Sequence, residues 1–203
     1  MKIYLIRHGE TDWNSQGRYQ GREDIPLNEN GIKQAERCGN ALKGECFKAI
    51  ITSPLIRAKR TAEIIADCNS INQIIIEANI TERDFSKVSG MTPKEREVFY
   101  ASGEEDDKEP FEDLSKRMLT SIYKYAEQYN DDNIIMISHG ASINSVLSAL
   151  SKGKTGTGKI ILKNTCINMI HFENGQISLG EYNLTAEEYL SLKIVSQKSC
   201  EPL

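Results

Sequence analysis

Residues 3 to 11 read IYLIRHGET, so an apolar run ends directly in an arginine, a histidine and a glycine. Arg7 and His8 therefore place a cation and a near-cation side by side at the mouth of a predicted buried strand. Two such groups repel each other at close range unless an anion lies between them. The pair predicts a binding site for a small anionic group.

Three further segments place a polar side chain just past an apolar run. Arg57 lies one helical turn after the run KAIIT, Glu82 follows QIIIEA, and His139 follows NIIMIS. Each residue alone has an ordinary explanation, such as a solvated charge or a hydrogen-bonded imidazole. In parallel α/β sheets, however, ligands bind beyond the carboxyl ends of the strands. We therefore expect these three residues to form one site with Arg7 and His8.

Strand-like and helix-like segments alternate along the chain. Strands are predicted at 2–6, 48–52, 73–78 and 133–138, and helices at 27–43, 54–68, 110–129 and 140–151. Asn28 is the expected N-cap of the first helix, and Pro54 is expected in the first turn of the second. The alternation predicts a three-layer α/β fold, a mostly parallel sheet with helices on both faces. The turn ENG at 173–175 predicts an antiparallel hairpin at the sheet edge.

The stretch from 79 to 109 departs from this alternation. It holds two glycines, a proline, a short helix candidate at 93–101 and the acidic run EEDDKE at 104–109. We interpret it as a small cap inserted into the core. A chain of 203 residues without an internal repeat or a linker predicts one domain over 1–203.

Composition narrows the classes of partner. The net charge of −4 argues against nucleic acid, because a phosphate backbone requires a basic surface. No apolar segment approaches the ~20 residues that cross a bilayer, and the N-terminal one is too short for a signal peptide, so we expect no membrane association and a cytoplasmic location. The cysteines are odd in number and scattered, which predicts free thiols at Cys38, Cys46, Cys68, Cys166 and Cys200.

Two other patterns do not support a site. The segment KGKTGTGKI at 152–160 contains G-x-x-x-x-G-K, but Ile160 stands where a phosphate-binding loop has Ser or Thr. A helix precedes it and a strand follows, so we predict a flexible loop. The histidines His8, His139 and His171 lack the spacing of a zinc site, and nearby arginines repel a cation. We therefore predict neither a metal nor another cofactor.

The chain resembles the histidine phosphatase superfamily, also called the phosphoglycerate-mutase-like family, and its phosphatase branch in particular. The resemblance rests on five motifs in this order: RHGET (7–11), QG (20–21), PLNENG (26–31), SPLIRAKRTAE (53–63) and SHG (138–140). It implies that His8 is a nucleophile that becomes phosphorylated and that Glu82 is the general acid. The rest of the implied phosphate pocket consists of Arg7, Arg57 and His139. The implied substrate-binding positions are Asn14, Gln20, Gly21 and Gly140.

One segment departs from the family pattern. Phosphatases of the family often continue after the acid with Phe-Gly-x-Trp-Glu-Gly, whereas this chain reads DFSKVSG at 84–90. Phe85 and Gly90 remain, and the residues between them differ. The departure affects the contacts of the cap, and hence the choice of substrate, rather than the chemistry.

The implied chemistry has simple physical requirements. A phosphomonoester is a dianion near neutral pH, so a neutral imidazole approaches it without charge repulsion. His8 can attack phosphorus if its other nitrogen is held as a donor, while Arg7 and Arg57 bind the phosphoryl oxygens. His139 adds a third cationic donor if it is protonated. An alkoxide leaves poorly without a proton, so Glu82 must carry one when substrate is bound.

Three functions stay open from the sequence. The leading one is a metal-independent phosphomonoester hydrolase that acts through phosphohistidine on a small phosphorylated metabolite. The alternatives are a cofactor-dependent phosphoglycerate mutase and a non-catalytic domain that binds phosphorylated ligands or proteins. The short, altered cap disfavours the mutase, and the intact nucleophile and acid disfavour the binding domain. The physiological substrate and the oligomeric state are not encoded in any pattern that we find.

Overall fold

A single mixed sheet organises the chain. The computed structural model describes residues 1–198, and Cys200 lies outside them. Within the described residues the sheet has six strands in the order β3-β2-β4-β1-β5-β6. The strands are β1 (Lys2–Arg7), β2 (Phe47–Thr52), β3 (Ile74–Ile76), β4 (Asn133–Ser138), β5 (Ile167–Glu173) and β6 (Gln176–Leu179).

Strand pairing aligns three carboxyl ends at one edge. Strand β4 pairs in parallel with β1 and with β2, and β2 pairs in parallel with β3. Arg7 lies opposite Ser138, and Thr52 lies opposite Ile137, so β1, β2 and β4 end at nearly the same level. Strands β5 and β6 add an antiparallel edge next to β1. The predicted fold class is confirmed.

Helices cover both faces of the sheet. They are α1 (Asp12–Ser15), α2 (Glu29–Ala41), α3 (Ile56–Asn69), α4 (Pro93–Ala101), α5 (Phe111–Gln128), α6 (Gly140–Leu150) and α7 (Ala186–Lys198). Successive residues of β1 belong to opposite cores: Ile3 and Leu5 pack with α5 and α6, whereas Tyr4 and Ile6 pack with α2 and α3. Strand side chains alternate between the two faces, so both sides of the central strands are apolar. No helix within residues 1–198 is long and apolar enough to span a bilayer.

Local sequence signals account for several boundaries. Asn28 is the N-cap of α2, as predicted, and its side chain accepts a hydrogen bond from the backbone N–H of Gly31. The hairpin is also confirmed, because Asn174 and Gly175 both have positive φ, which a two-residue type I′ turn requires. Helix α7 follows the predicted elements and was not itself predicted. Its Tyr189 is buried in the core on the α2–α3 side of the sheet.

Two predicted elements were wrong in detail. Helix α3 begins at Ile56, after an extended Leu55, so Pro54 precedes the helix instead of lying in its first turn. The strand predicted at 73–78 comprises only Ile74–Ile76. It is the edge strand, and Ile76 is 51% exposed, so it is not covered on both faces. The chain then turns into a short 3₁₀ helix at Ala78–Ile80, which carries it toward the strand ends.

The segment from 79 to 109 packs against the carboxyl edge of the sheet. Helix α4 begins with a capping box formed by Thr92 and Glu95. A small apolar cluster of Phe85, Val88 and Phe99 holds the segment together. Phe99 is buried in this cluster and fixes α4 to the rest of the segment.

Candidate active site

Residues from four separate segments meet beyond the strand ends. A pocket of about 280 Å³ lies there, and four of the five predicted catalytic residues line it: Arg7, His8, Arg57 and Glu82. His139 does not line the pocket; it lies fully buried behind the wall, with its ring 5.1 Å from that of His8. The aligned ends of β1, β2 and β4 bring these groups together despite their separation along the chain.

His8 is held in one tautomer. Its Nδ1 lies 2.6 Å from the carbonyl oxygen of Gly9. A carbonyl only accepts hydrogen bonds, so Nδ1 carries the proton and Nε2 keeps its lone pair. The Gly9 N–H in turn donates to Oγ1 of Thr61, whose hydroxyl donates to the carbonyl of Arg57. The loop that carries His8 is therefore fixed to helix α3.

Burial keeps His8 neutral. Desolvation lowers its pKa well below the ordinary histidine value, and the nearby Arg57 and Arg7 lower it further. A neutral imidazole with a free Nε2 is the nucleophilic form. The structure thus meets the requirement for attack on phosphorus: Nδ1 of His8 donates to a carbonyl group, and Nε2 is left to attack.

Arg57 is fully buried and Arg7 is half-buried, and both guanidinium groups point into the site. Arg7 donates from Nη1 to the carbonyl of Leu162, and Arg57 donates to the carbonyls of Glu23 and Gly21. Within residues 1–198 neither guanidinium forms an ion pair. The Nε of each is buried and has no hydrogen-bond partner in the described part of the chain. Such unpaired donors are costly unless an anion binds them, so the pair forms an anion site.

The arginines remain positively charged at neutral pH. Burial lowers the pKa of Arg57 to about 10, and it lowers the pKa of Arg7 as well. The carboxyl of Glu82 acts in the opposite direction on both. Arg7 and Arg57 therefore contribute positive charge to this pocket, which Arg18 and Arg83 also line.

His139 is oriented by Ser53. Its Nε2 lies 2.7 Å from Oγ of Ser53, which also accepts the N–H of Leu55. Burial first, and then the charge of Arg57, lower the pKa of His139 well below the ordinary value. His139 is therefore neutral in this structure and does not act as a third cationic donor. The Nδ1 of His139 is buried and has no hydrogen-bond partner among the described residues.

Glu82 lies at the N-terminus of α6. Its carboxyl accepts the backbone N–H groups of Ala141 and Ser142 at 3.1 and 3.0 Å, and the hydroxyl of Ser142 at 3.0 Å. The guanidinium of Arg117 holds the backbone carbonyl of Glu82. These bonds fix the carboxyl group at the wall of the pocket that also contains His8.

Three of the four predicted substrate-binding residues line the pocket, namely Asn14, Gln20 and Gly140. A Cβ at Gly140 would lie 3.6 Å from Nε of Arg7 and 3.8 Å from Oε2 of Glu82, so the glycine leaves space between them. Gly21 is placed differently: it is not part of the pocket lining, and its carbonyl accepts a hydrogen bond from Nη2 of Arg57.

Sequence reasoning assigned no role to several pocket residues. Tyr19 is one of them; it stacks on Phe85 with ring centroids 4.4 Å apart, and both line the pocket, as does Phe111. Thr157 and Gly158 belong to the segment 152–160, for which only a flexible loop was predicted. The other unassigned lining residues are Arg18, Arg83, Ala141 and Asn144. Of these, Asn144 had a usable signal, since it lies four residues after Gly140 on the same helix face.

The acidic run at 104–109 does not reach the pocket. The pocket-lining residues include none of its members. Glu109 turns away and forms an ion pair with Arg117. Within residues 1–198 no group of three or more His, Cys, Asp or Glu side chains is placed to hold a metal ion.

The buried histidines predict a pH dependence of stability. Because the folded pKa values of His8 and His139 lie below the unfolded value of about 6.5, the unfolded chain binds more protons below that pH. We expect the free energy of unfolding to be highest above about pH 6.5 and to fall by up to about 1.4 kcal/mol per pH unit for each histidine as pH decreases. Urea unfolding at pH 7.5 and 5.5 measures this.

The double variant His8→Gln, His139→Gln should flatten that pH dependence. His171→Gln, a change at the third histidine, is the matched control and should keep the wild-type slope. A double variant with the wild-type slope would show that other groups cause it.

Comparison with known proteins identifies the family of the chain. The family model described as histidine phosphatase superfamily (branch 1) matches residues 3–185. The chain is 35% identical to the uncharacterized phosphatase PhoE of Bacillus subtilis (strain 168), over 91% of this chain and 95% of that one. It is 30% identical to a metal-independent phosphoserine phosphatase of Arabidopsis thaliana, over 85% of this chain and 77% of that one.

A solved structure shares the fold as well. The phosphoserine phosphatase of Entamoeba histolytica in complex with 3-phosphoglyceric acid superimposes with a TM-score of 0.79 and 32% identity. The match covers 93% of this chain and 98% of that one. By sequence, fold and the extent of the family match, the chain belongs to the histidine phosphatase superfamily.

Proposed function

We propose that this enzyme hydrolyses small phosphomonoesters through a phosphohistidine formed on Nε2 of His8, without a metal. One observation carries the proposal. Two arginines, whose Nε atoms are buried and have no partner among the described residues, line the same pocket as a neutral histidine whose Nε2 is free. The arrangement binds a dianion and presents a nucleophile to it.

In the first step the phosphoryl oxygens accept hydrogen bonds from Arg7 and Arg57. The Nε2 lone pair of His8 attacks phosphorus, an N–P bond forms, and the ester P–O bond breaks. Glu82 gives its proton to the departing alkoxide, which leaves as the alcohol. The carbonyl of Gly9 stabilises the positive charge that develops on the imidazole, because it accepts the Nδ1–H.

In the second step water attacks the phosphohistidine. Glu82, now a carboxylate, takes a proton from that water, the N–P bond breaks, and inorganic phosphate leaves. His8 returns to its neutral form. The arginines supply the positive charge in both steps, so the sequence of steps needs no metal ion.

The substrate that we propose is a small phosphorylated metabolite, with phosphoserine as the first candidate. The similarity to phosphoserine phosphatases of two organisms supports this choice. A pocket of about 280 Å³ also suits a small molecule. We further propose that residues 79–109 act as a small cap on a single domain, since Phe85 from this segment lines the pocket. The cytosol remains the proposed location, which subcellular fractionation tests.

Trapping of the phosphoenzyme tests the reaction. The enzyme is mixed with p-nitrophenyl phosphate, quenched in base, and analysed by mass spectrometry for an acid-labile phosphoryl group on the peptide that contains His8. We expect that adduct together with a burst of p-nitrophenol. Isomerisation of 3-phosphoglycerate that requires 2,3-bisphosphoglycerate, with little phosphate release, would instead support the mutase. Phosphate binding without any adduct or turnover would support a binding domain.

Glu82→Gln should separate substrates by their leaving group. Glutamine keeps the size of the side chain but has no proton to give to an alkoxide. We expect kcat for an alkyl phosphate to fall by about 10²- to 10³-fold, and that for p-nitrophenyl phosphate by less than about 10-fold, because nitrophenolate leaves without protonation. Steady-state assays of both substrates measure the difference.

Glu77→Gln is the matched control for this experiment. Glu77 is also buried, but its carboxyl pairs with Lys124 and Tyr125 outside the pocket. Glu77→Gln should lower kcat for the two substrates by the same factor, if it lowers kcat at all. If Glu82→Gln lowered kcat by the same factor for both substrates, the role of Glu82 as the acid would be contradicted.

A further inference from the structure

Arg117 on helix α5 donates all of its hydrogen bonds to the segment that carries Glu82 and to one carboxylate beside it. Its Nη1 donates to the carbonyl oxygens of Asn79 and Thr81 at 2.6 and 2.7 Å, and its Nη2 donates to that of Glu82 at 3.1 Å. Two further bonds, from Nε at 2.6 Å and from Nη2 at 2.9 Å, reach the two carboxyl oxygens of Glu109. A guanidinium has five N–H groups, so every donor of this side chain has an acceptor.

Glu109 extends these contacts to the residues that follow the acid. Its Oε2 accepts the backbone N–H of Asp84 at 3.2 Å, and its own N–H donates to the carbonyl of Asp84 at 3.0 Å. Its carbonyl accepts Nε of Arg83 at 2.8 Å. Burial acts to raise the pKa of the Glu109 carboxyl, but the hydrogen bonds and the charge of Arg117 hold that pKa below its ordinary value. The Arg117–Glu109 ion pair therefore persists at neutral pH and supports the chain on both sides of Glu82.

Glu82 is held at its two ends by different helices. Its carboxyl oxygens accept N–H groups from the first turn of α6, whereas its backbone carbonyl is held by Arg117 of α5. The carbonyl of Thr81 links the two supports, because it accepts both Nη1 of Arg117 and the hydroxyl of Ser142. Arg117 does not line the pocket. Any effect of Arg117 on the leaving group must therefore pass through Glu82.

The backbone around Glu82 has no regular structure of its own. Strand β3 ends at Ile76, and residues 81–85 lie between two short 3₁₀ helices, in neither helix nor strand. Backbone groups in such a segment depend on side chains for their hydrogen bonds. A general acid must also lie within hydrogen-bond distance of the atom that it protonates, and a displacement of about 1 Å can lower a rate by about 10²-fold.

We propose that Arg117, paired with Glu109, is the positioning residue of the general acid. It fixes the backbone at Glu82 so that the carboxyl group stays within reach of the leaving oxygen. The geometry of the guanidinium, and not its charge alone, supplies this support, because its donors are directed to separate acceptors on one chain segment. This inference rests on the proposed phosphatase function and assigns to it a residue outside the pocket.

Arg117→Lys tests the inference, because lysine keeps the charge but carries its three donors on one atom. We expect kcat/KM to fall by about 10- to 100-fold for n-propyl phosphate and by less than about threefold for p-nitrophenyl phosphate, whose leaving group needs no proton. The parameter kcat/KM covers the steps up to the phosphoenzyme and so excludes the later attack by water. When Glu82→Gln is already present, Arg117→Lys should lower kcat/KM for both substrates by the same small factor, because no acid remains to be misplaced. A residue that only stabilised the fold would not show this dependence on Glu82.

Glu109→Gln is a second variant, and it decides the question if Arg117→Lys does not fold. It leaves Arg117 in place but presents an amide N–H₂ group to the donors of Arg117 or of the Asp84 backbone. We expect a loss of kcat/KM in the same direction, about 3- to 10-fold for n-propyl phosphate and near none for p-nitrophenyl phosphate.

The matched control is Arg22→Lys. Arg22 also pairs with Asp84 and Glu109, at 3.4 and 3.8 Å, but it is half-exposed and is not bonded to the backbone of Glu82 among the described residues. That variant should keep the wild-type kcat/KM for both substrates. Unchanged values in Arg117→Lys, equal losses for both substrates, or a selective loss that persists undiminished with Glu82→Gln would overturn the inference. In each of these cases p-nitrophenyl phosphate would still phosphorylate His8 of the wild-type enzyme, whereas failure of the proposed function would abolish that adduct.

Discussion

His8→Ala should reduce kcat for p-nitrophenyl phosphate by at least about 10⁴-fold, to a rate near that of the solution reaction. The reason is geometric. Among the described residues, His8 supplies the one imidazole nitrogen that lines the pocket of the two arginines, and its proton is held on Nδ1 by the carbonyl of Gly9. An alanine at this position leaves the anion site in place but removes the atom that attacks phosphorus. Steady-state kinetics and mass spectrometry of the quenched enzyme measure the loss of turnover and of the adduct.

His171→Ala is the matched control for the nucleophile. His171 lies in β5 and does not line the pocket. That variant should turn over normally and should still form the phosphoenzyme. Substantial turnover by His8→Ala, with a wild-type circular dichroism spectrum, would contradict the assignment of His8. His139→Ala gives a further comparison. Because His139 lies behind the pocket wall, its loss should lower the rate, but the phosphoenzyme should still form on His8.

Arg57→Met should weaken the binding of orthovanadate, an analogue of the phosphoryl transition state, by about 10²- to 10³-fold. Arg57 is fully buried, and its two bonds to carbonyl groups orient the guanidinium without neutralising its charge, while its Nε has no partner among the described residues. Methionine retains much of the volume but none of the charge. We expect a similar fall in kcat/KM for p-nitrophenyl phosphate, with both effects measured at one pH.

A surface arginine supplies the control for charge alone. Arg60 lies on the same helix, is half-exposed and pairs with Glu63. Arg60→Met should change vanadate binding by less than about twofold, because exposed charges are screened by solvent. Tight vanadate binding by Arg57→Met would show that Arg7 alone forms the anion site.

The fold and the site residues were predictable to different degrees. The strands β1, β2 and β4 were predictable because a short, continuous apolar run is typical of a strand that is buried on both faces. Parallel pairing of such strands brings their carboxyl ends together, so Arg7, His8, Arg57 and His139 could be grouped by their positions along the chain. The resemblance to a family added the individual roles.

Other features depend on contacts that local sequence does not specify. Strand β3 is short because it lies at the sheet edge, where only one neighbour supports it. The position of His139 behind the pocket wall follows from its bond to Ser53, which is 86 residues away. The role of Gly21 as a support for Arg57, and the packing of the 152–160 segment over α6, likewise arise from tertiary packing. Such long-range contacts cannot be derived from spacing along the chain.

The guanidinium groups of Arg7 and Arg57 also predict how the product of the reaction affects the enzyme. A pocket with two fixed cations does not distinguish strongly between a phosphate ester and the orthophosphate that hydrolysis releases. Both ligands offer the same kind of oxygen atoms to Arg7 and Arg57. Free orthophosphate should therefore compete with substrate and slow the enzyme as it accumulates. It should also raise the melting temperature of the protein, because a ligand that binds only the folded state stabilises it. The same charges that recruit the substrate thus give the enzyme inhibition by its own product.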